Sequence, residues 1–377
     1  LLHSSKKINK IPPGPNEFEI SLFGPGVGEC IVLHLGKGKW LIVDSCLNPK
    51  TKKPISTEYL KSIGVTPAES VEVLVITHWH SDHIRGAAQI VSECSETRVC
   101  YPAALLENEF LSFLSAYSGS DITPILDKNT SATKEFASIV VTLKKHIEAN
   151  PDYKYDYLSP IMKDTLIFEE INDDLEINIR ALSPSSKSYH DALQLFASLL
   201  PKAKDLRNII PAPKQNDNAI VLWVQINDIC LLLGSDLEET KEQRTGWTAI
   251  VNSKQRPQRK ASIFKIPHHG SENGHSDDVW EKMVNTQPVC LLTSKIGGRG
   301  SIPKESDIER IKAISPVLFC TKVPKGKKPK RENTVEKMLK ATVKERHILD
   351  GEVGHIQLRF SDPSEIEVNC LPPATSL

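Results

Sequence analysis

No stretch of this sequence has the apolar length that crosses a membrane, which takes about 20 residues. The opening residues, Leu1-Leu2-His3-Ser4-Ser5-Lys6-Lys7, are too short and polar for a secretory signal, and the missing initiator Met suggests trimming. Net charge is lacking too, since 47 basic residues balance 47 acidic ones. No chain-wide basic field marks a nucleic-acid binder, although a local groove stays open. None of the eight cysteines forms a CxxC pair. Most stand in apolar runs such as Ile229-Cys230-Leu231-Leu232-Leu233, so they read as small buried hydrophobes in a reducing, cytoplasmic compartment, and a disulfide framework is disfavoured. Phosphate-loop spacing is absent as well. Gly24-Pro25-Gly26-Val27-Gly28-Glu29 fits neither a P-loop nor GxGxxG before a helix, and reads as hairpin geometry.

What the chain does carry is an ordinary globular composition, 39% hydrophobic and 25% charged over 377 residues. That suits one large domain with insertions, or two domains. One stretch stands apart. The apolar run Val71-Glu72-Val73-Leu74-Val75-Ile76 leads into Thr77-His78-Trp79-His80-Ser81-Asp82-His83. A buried strand ends there and a turn with metal-ligand character begins. His78 and His80 are two apart on extended chain, so their rings point to one side. Asp82 and His83 come on the turn that opens a helix over 84–91. Two imidazoles can hold one cation, and a carboxylate with a third imidazole can hold a second beside it. A solvated polar loop does not account for three histidines and an aspartate within six residues.

The rest of the chain supplies candidate partners. Strands are expected at 18–23, 30–35 and 40–43, the last ending at Asp44. Asp44 is either a turn cap or an acceptor that fixes the histidine turn. Helices are expected over 105–117 and 132–149, within a helical insertion at about 104–165, and again over 189–200, before a loop at 201–213. A hairpin around Asn227-Asp228 pairs 218–224 with 229–234, and its second strand runs into Gly234-Ser235-Asp236. Asp236 is either the N-cap of a helix from about Leu237, with Glu239 completing a capping box, or a carboxylate that bridges both metals. A strand over 262–267 runs into His268-His269-Gly270-Ser271. Those adjacent histidines again offer imidazole, and which of them ligates stays open. Trp79 is a candidate for the rim of the site. Ser271, His275 and Lys265 are candidates for contacts to substrate oxygens. Five lysines and an arginine crowd 322–331, an exposed loop that is either solvated surface or a contact for a polyanion. Hairpins first and helix–strand units after them suggest two sheets face to face with helices outside.

These residues carry a family likeness. His78-x-His80-x-Asp82-His83 resembles the signature of the metallo-β-lactamase superfamily. Gly26-Val27-Gly28-Glu29 resembles the VGQGD turn of its ComEC-like branch. Asn216 to Leu222, then Leu231-Leu232-Leu233-Gly234-Ser235-Asp236, resembles that branch's NNNSLVL…LLTGD, and Lys265-Ile266-Pro267-His268-His269-Gly270-Ser271 its KVPHHGS. The likeness implies an α/β (α+β) fold, a four-layer αββα sandwich forming a single domain over 1–377 with the helical insertion. It implies two divalent metal ions, Zn or Mn. His78 and His80 would bind the first, Asp82 and His83 the second, Asp236 would bridge, and one of His268 and His269 would complete the set. Asn218 falls where many members carry a histidine, so it is a weak ligand or none. Glu29-Cys30, Trp79 and Ile302 also depart from the branch pattern. The implied activity is hydrolysis by a metal-bridging hydroxide, on a phosphodiester and so as a nuclease, or else on a small-molecule ester, lactone or nucleotide. Stand-alone members of this branch also resemble the metallo-hydrolase of bacterial anti-phage systems, which would make a protein partner in a multi-subunit assembly part of the picture. No membrane partner is implied.

The spacing from His78 to His83 predicts that the purified protein carries transition metal. Elemental analysis of the wild type and of an Asp82→Ala/His83→Ala double variant checks it; equal, near-zero metal in both would refute the reading.

Overall fold

The computed structural model describes residues 2–5, 9–118, 130–172, 175–199, 216–297, 300–324, 353–362 and 365–377, and the isolated positions 334, 338, 341 and 342. The loop expected at 201–213, and the basic run beyond Pro324, lie outside these residues. In chain order the strands are β1 (Leu2–Ser5), β2 (Phe18–Gly24), β3 (Cys30–His34), β4 (Trp40–Val43), β5 (Val71–Val75), β6 (Arg98–Pro102), β7 (Leu158–Ile161), β8 (Leu166–Asn172), β9 (Leu175–Ala181), β10 (Leu222–Ile226), β11 (Ile229–Leu233), β12 (Ala261–Lys265), β13 (Val284–Leu292), β14 (Leu318–Cys320), β15 (Gly354–Asp362), β16 (Glu365–Leu371) and β17 (Thr375–Ser376). They form two sheets, ordered β1-β16-β15-β2-β3-β4-β5-β6-β7 and β17-β14-β13-β12-β11-β10-β9-β8.

Period-two alternation decides which side chain enters which layer. Along β2 to β5, Ile20, Leu22, Ile31, Leu33, Leu41, Val43, Val73 and Val75 face the second sheet, where Leu222, Val224, Leu231, Leu233, Ile263 and Leu291 meet them. The intervening Phe23, Val32, Trp40, Ile42 and Leu74 face outward, under helices that include Ile55–Ser62 and Ala87–Glu93. On the far side, Trp223, Leu232, Phe264 and Leu292 pack under the helices Gly246–Val251, Asp277–Met283 and Glu305–Ile314. The result is the expected αββα stack with three apolar interfaces. Each fully buried Leu, Ile or Val in them contributes about 1.5–3 kcal/mol.

Two blocks of parallel strands matter for function: β4-β5-β6-β7 in one sheet and β11-β12-β13-β14 in the other. Parallel strands of one sheet end on one edge, and loops beyond carboxyl ends are where α/β sheets place ligands. Asp44, the histidine turn, Asp236, His268-His269 and Thr293 each follow such an end. A backbone bond from Ile220 N to Thr77 O, 3.0 Å long, joins the two sheets there.

Between β6 and β7 run the helices Asn108–Ser118, Thr130–Ala149 and Tyr153–Asp156. The second buttresses Ala87–Glu93: Glu135 Oε1 accepts from Gly86 N at 3.1 Å and Ala88 N at 3.3 Å. The helix expected from 84 breaks at Gly86, whose φ of 86° separates the single turn Ser81–Ile84 from Ala87–Glu93. The helix expected from about Leu237 is absent. After Asp236 the chain stays irregular until Gly246–Val251, and Glu239 bonds Lys241 N and Thr248 instead of closing a capping box. Strand β10 likewise starts at Leu222, because Asn216–Asn218 is taken up in a short 3-10 turn.

On the outer face of the first sheet, Glu19 accepts from Arg359 Nε at 2.8 Å and from Tyr59 and Ser21 at 2.6 Å each, and His355 Nε2 lies 2.9 Å from Ser21 Oγ. His355 stacks on Phe23 with ring centroids 4.1 Å apart. Burial, with Arg359 adding to it, holds the His355 imidazole down at about 3. In the unfolded chain the ring titrates near 6.5, so below that pH the unfolded state takes up a proton that the folded state refuses. Stability is therefore full above pH 6.5 and is lost as pH falls toward 3. Between pH 7.5 and 5 this one group costs about 2 kcal/mol. His355→Gln should remove that part of the pH slope, measured as urea midpoints at the two pH values. An unchanged slope would count against it.

Candidate metal centre

The site is built from the histidine turn outward. Extended chain from Thr77 to His80 puts two rings on one side, with His78 Nε2 3.0 Å from His80 Nδ1. The single helical turn Ser81–Ile84 then carries Asp82 and His83 back toward them. The Gly-rich turn is the seat of this segment. Glu29 N donates to Asp82 O at 3.0 Å, and a Cβ on Gly28 would stand 2.9 Å from that oxygen and 2.8 Å from Cys46 Cβ. With φ at 103°, the position takes glycine for both reasons.

Hydrogen bonds fix three ring tautomers. Asp44 ends β4 in the left-handed region at φ 60°. Its Oδ1 accepts from Thr77 N at 2.8 Å, and its Oδ2 accepts from Thr77 Oγ1 at 2.7 Å and from His83 Nδ1 at 2.7 Å. Thr77 spends its proton on Asp44, so it accepts from His78 Nδ1, 3.0 Å away. Thr293 likewise gives its proton to Glu29 and accepts from His269 Nδ1 at 3.2 Å. Behind them Glu29 Oε1 lies 2.5 Å from the ammonium of Lys265, and both residues are buried. Each ring thus commits Nδ1–H outward and turns Nε2 inward.

The inward nitrogens meet carboxylates. Asp236 Oδ2 is 3.3 Å from His83 Nε2, 3.6 Å from His269 Nε2 and 3.9 Å from His78 Nε2. His269 Nε2 is also 3.5 Å from Asp82 Oδ2. Asp236 is fully buried, and among the described residues neither of its oxygens, nor His83 Nε2, nor His269 Nε2, has a hydrogen bond. A bare imidazole lone pair facing a buried carboxylate is repulsive, so positive charge belongs between them. Without a metal ion that charge is a proton. Burial opposes it on His83, yet the carboxylates of Asp236 and Asp44 outweigh burial and hold the ring well above the usual histidine range. Burial raises the Asp236 carboxyl, but His83 and His269 draw it well below the usual carboxylate range. His78 and His80 stay neutral because burial depresses them, His80 to about 4.

Two donor sets share Asp236 as their common member. His78, His80 and Asp236 form one, and His83, His269 and Asp236 the other, with the ligand atoms of each within 4.8 Å of one another. Glu29 also falls within reach of the second set. Its oxygens are held by Lys265 and Thr293, which places it behind His269 and not among the ligands. Asp82 extends the second set through His269. The residues therefore have the donor chemistry to hold divalent metal, with Asp236 common to both sets. Asn218 adds a buried Oδ1 with no hydrogen-bond partner among the described residues, on the segment docked to Thr77.

Other candidates lie elsewhere. His268 turns away from the cluster, with Nδ1 3.4 Å from Glu238 Oε1 and Nε2 3.3 Å from Asn216 Nδ2. Trp79 does not form the rim: its ring is buried against Phe110 and Phe196, at centroid distances of 5.3 and 6.3 Å. Ser271 closes its own turn by bonding His268 O and Asn273. His275 pairs with Asp277 and Trp280 at the start of Asp277–Met283. Lys265 is a buried partner of Glu29 and not a surface contact. The sequence reading passed over Thr77, Glu29, Thr293 and Lys295, whose Nζ lies 2.6 Å from Asp82 Oδ2. Thr293 sits just past a parallel strand, the same signal that marked Asp236.

Residues 23–122 match the family model described as the metallo-beta-lactamase superfamily, a span holding Asp44 and the whole histidine turn. Among solved structures, the metallo-beta-lactamase fold protein YhfI from Bacillus subtilis is similar at 8% identity, over 82% of this chain and 97% of that one, with a TM-score of 0.36. An archaeal metallo-beta-lactamase superfamily protein from Sulfolobus tokodaii is similar at 11% identity, over 61% and 67%, with a TM-score of 0.27. No curated protein sequence matches the chain.

The geometry separates the adjacent histidines. His269→Ala should lower bound metal measurably, whereas His268→Ala should keep wild-type stoichiometry by elemental analysis. The reverse order would overturn the assignment. Gly28→Ala should also lose metal, because the added methyl displaces the backbone of Asp82.

Proposed function

We propose that this protein is a dinuclear metal-dependent hydrolase of phosphodiesters, with nucleic acid as its substrate class. The observation that carries the reading is Asp236, a buried carboxylate without hydrogen bonds among the described residues, common to two imidazole-bearing donor sets. His78, His80 and Asp236 would hold one ion, with Asn218 offering an oxygen, and Asp82, His83, Asp236 and His269 the other. A mixed nitrogen and oxygen set suits zinc or manganese. Two such ions supply Lewis acidity and an activated water at neutral pH. The chain's own part is positioning. Asp44 and Thr77 lock the rings of His83 and His78, and the Lys265–Glu29–Thr293 series locks His269. That rigidity keeps the donors convergent as charge builds on the substrate.

Support for an anionic polymer comes from the rim. The basic run begins at Lys322, whose Cδ would lie 3.3 Å from a Cβ on Gly26, and Ser294 bonds its carbonyl. Its described start therefore leaves the fold beside the Gly-rich turn that seats Asp82. The ComEC-like motifs at Gly26–Glu29 and Lys265–Ser271 favour the same reading.

Metal-loaded protein is to be incubated with single- and double-stranded DNA, RNA and a model phosphodiester. Cleavage of at least one is expected. Asp236→Asn should reduce turnover by at least the roughly 100-fold that loss of an orienting group costs at metal sites. Hydrolysis of a lactone or carboxylic ester without any phosphodiester cleavage would overturn the reading in favour of a small-molecule enzyme.

A further inference from the structure

Among the described residues, Lys295 stands beside the centre, paired with Asp82, and the account above gives it no part in the chemistry. Lys295 lies just beyond β13, in a bridge with Ile302: its N donates to Ile302 O at 2.9 Å, and Ile302 N returns to Lys295 O at 3.0 Å. Its neighbour Ile296 donates to Gly26 O at 2.5 Å, which ties the bridge to the Gly-rich turn. The backbone of Lys295 is thus fixed. Its side chain is 39% exposed, while the Asp82 carboxylate that it reaches at 2.6 Å is 4% exposed. The ammonium therefore stands at the mouth of the centre, on the solvent side of a buried acid.

Charge makes that placement informative. Glu29 is neutralised by Lys265, and Asp44 is held by Thr77 and His83. Asp44, Asp82 and Asp236 remain without a formal counter-charge, since Thr77 and a metal-bound imidazole are neutral. Two divalent ions would outweigh these three by one positive charge, and Lys295 adds a second. A lysine beside such a centre is repelled unless the bound substrate brings negative charge. A neutral ester or lactone brings none, whereas a phosphodiester brings an anionic phosphoryl group. Once an ion engages Asp82, the flexible stem frees the ammonium to turn toward the mouth.

We infer that Lys295 is a substrate-binding residue that contacts a non-bridging phosphoryl oxygen and sets a preference for phosphate esters over neutral ones. The inference rests on the dinuclear reading given above. It assigns to Lys295 the anion contact for which Lys265, buried against Glu29, has no freedom.

The test titrates metal-loaded wild type, Lys295→Met and Lys295→Arg with inorganic phosphate by calorimetry, with metal content and thermal midpoint measured on each. Lys295→Met should weaken phosphate binding about tenfold or more, the scale of a charge-assisted hydrogen bond, and Lys295→Arg should stay close to wild type. Metal content should be equal in all three. Equal phosphate affinity in Lys295→Met would overturn the inference. So would metal loss in step with the lost affinity, which would make the lysine a prop for Asp82. If the wild type cleaves no phosphodiester and Lys295→Met still loses phosphate affinity, the functional reading fails and the anion contact stands. If phosphodiester is cleaved with KM unchanged in Lys295→Met, the contact fails and the functional reading stands.

Discussion

A carboxylate sealed from water, with imidazole nitrogens turned toward it, sets the terms for everything around it. Asp236 has no hydrogen bond to lean on among the described residues, and His83, His269 and His78 face one of its oxygens. Such a group survives burial only where positive charge is supplied, because an isolated buried carboxylate costs several kcal/mol. The surrounding structure keeps that demand in place. Asp44, Thr77 and Thr293 each spend hydrogen bonds on holding a ring by its outer nitrogen, and so stop the inner ones from relaxing toward other partners.

The sandwich is what lets these groups converge. Residues far apart in the chain meet because two blocks of parallel strands end on one edge. The price of that convergence shows in the backbone: Asp44, Ser235, His268 and His269 all adopt positive φ. Each such residue costs on the order of 1 kcal/mol. The apolar interfaces between the layers are large enough to absorb that strain. Stability is generated in the core, and part of the conformational cost sits on the edge that carries the candidate site.

Much of this was legible in the sequence. Apolar runs placed β4, β5, β11 and β12 of the two parallel blocks, since strands covered on both faces read as near-continuous hydrophobic stretches, whereas β7 was hidden inside the expected helical insertion. His78, His80, Asp82 and His83 were visible because local spacing alone brings them together. Asp236 was ambiguous for a local reason: an aspartate after a strand resembles a helix cap, and only the irregular chain from Leu237 onward removes that alternative. The choice between His268 and His269 depended on a left-handed turn and on Glu238 and Asn216, contacts that spacing does not encode. Trp79 was misread because its ring is claimed by Phe110 and Phe196 from the helices between β6 and β7, a long-range contact. The Lys265–Glu29 ion pair joins residues more than two hundred positions apart and leaves no local mark.

The carboxylate of Glu135 gives the helices between β6 and β7 a mechanical meaning. It accepts from the backbone of Gly86 and Ala88, the first free donors of the helix that follows the histidine turn. That helix end is therefore finished by a side chain from a separate region of the chain. The added helices act as a foundation poured against the back of the centre, and force borne by them reaches the histidine turn through the Glu135 carboxylate and through the ring of Trp79 packed on Phe110.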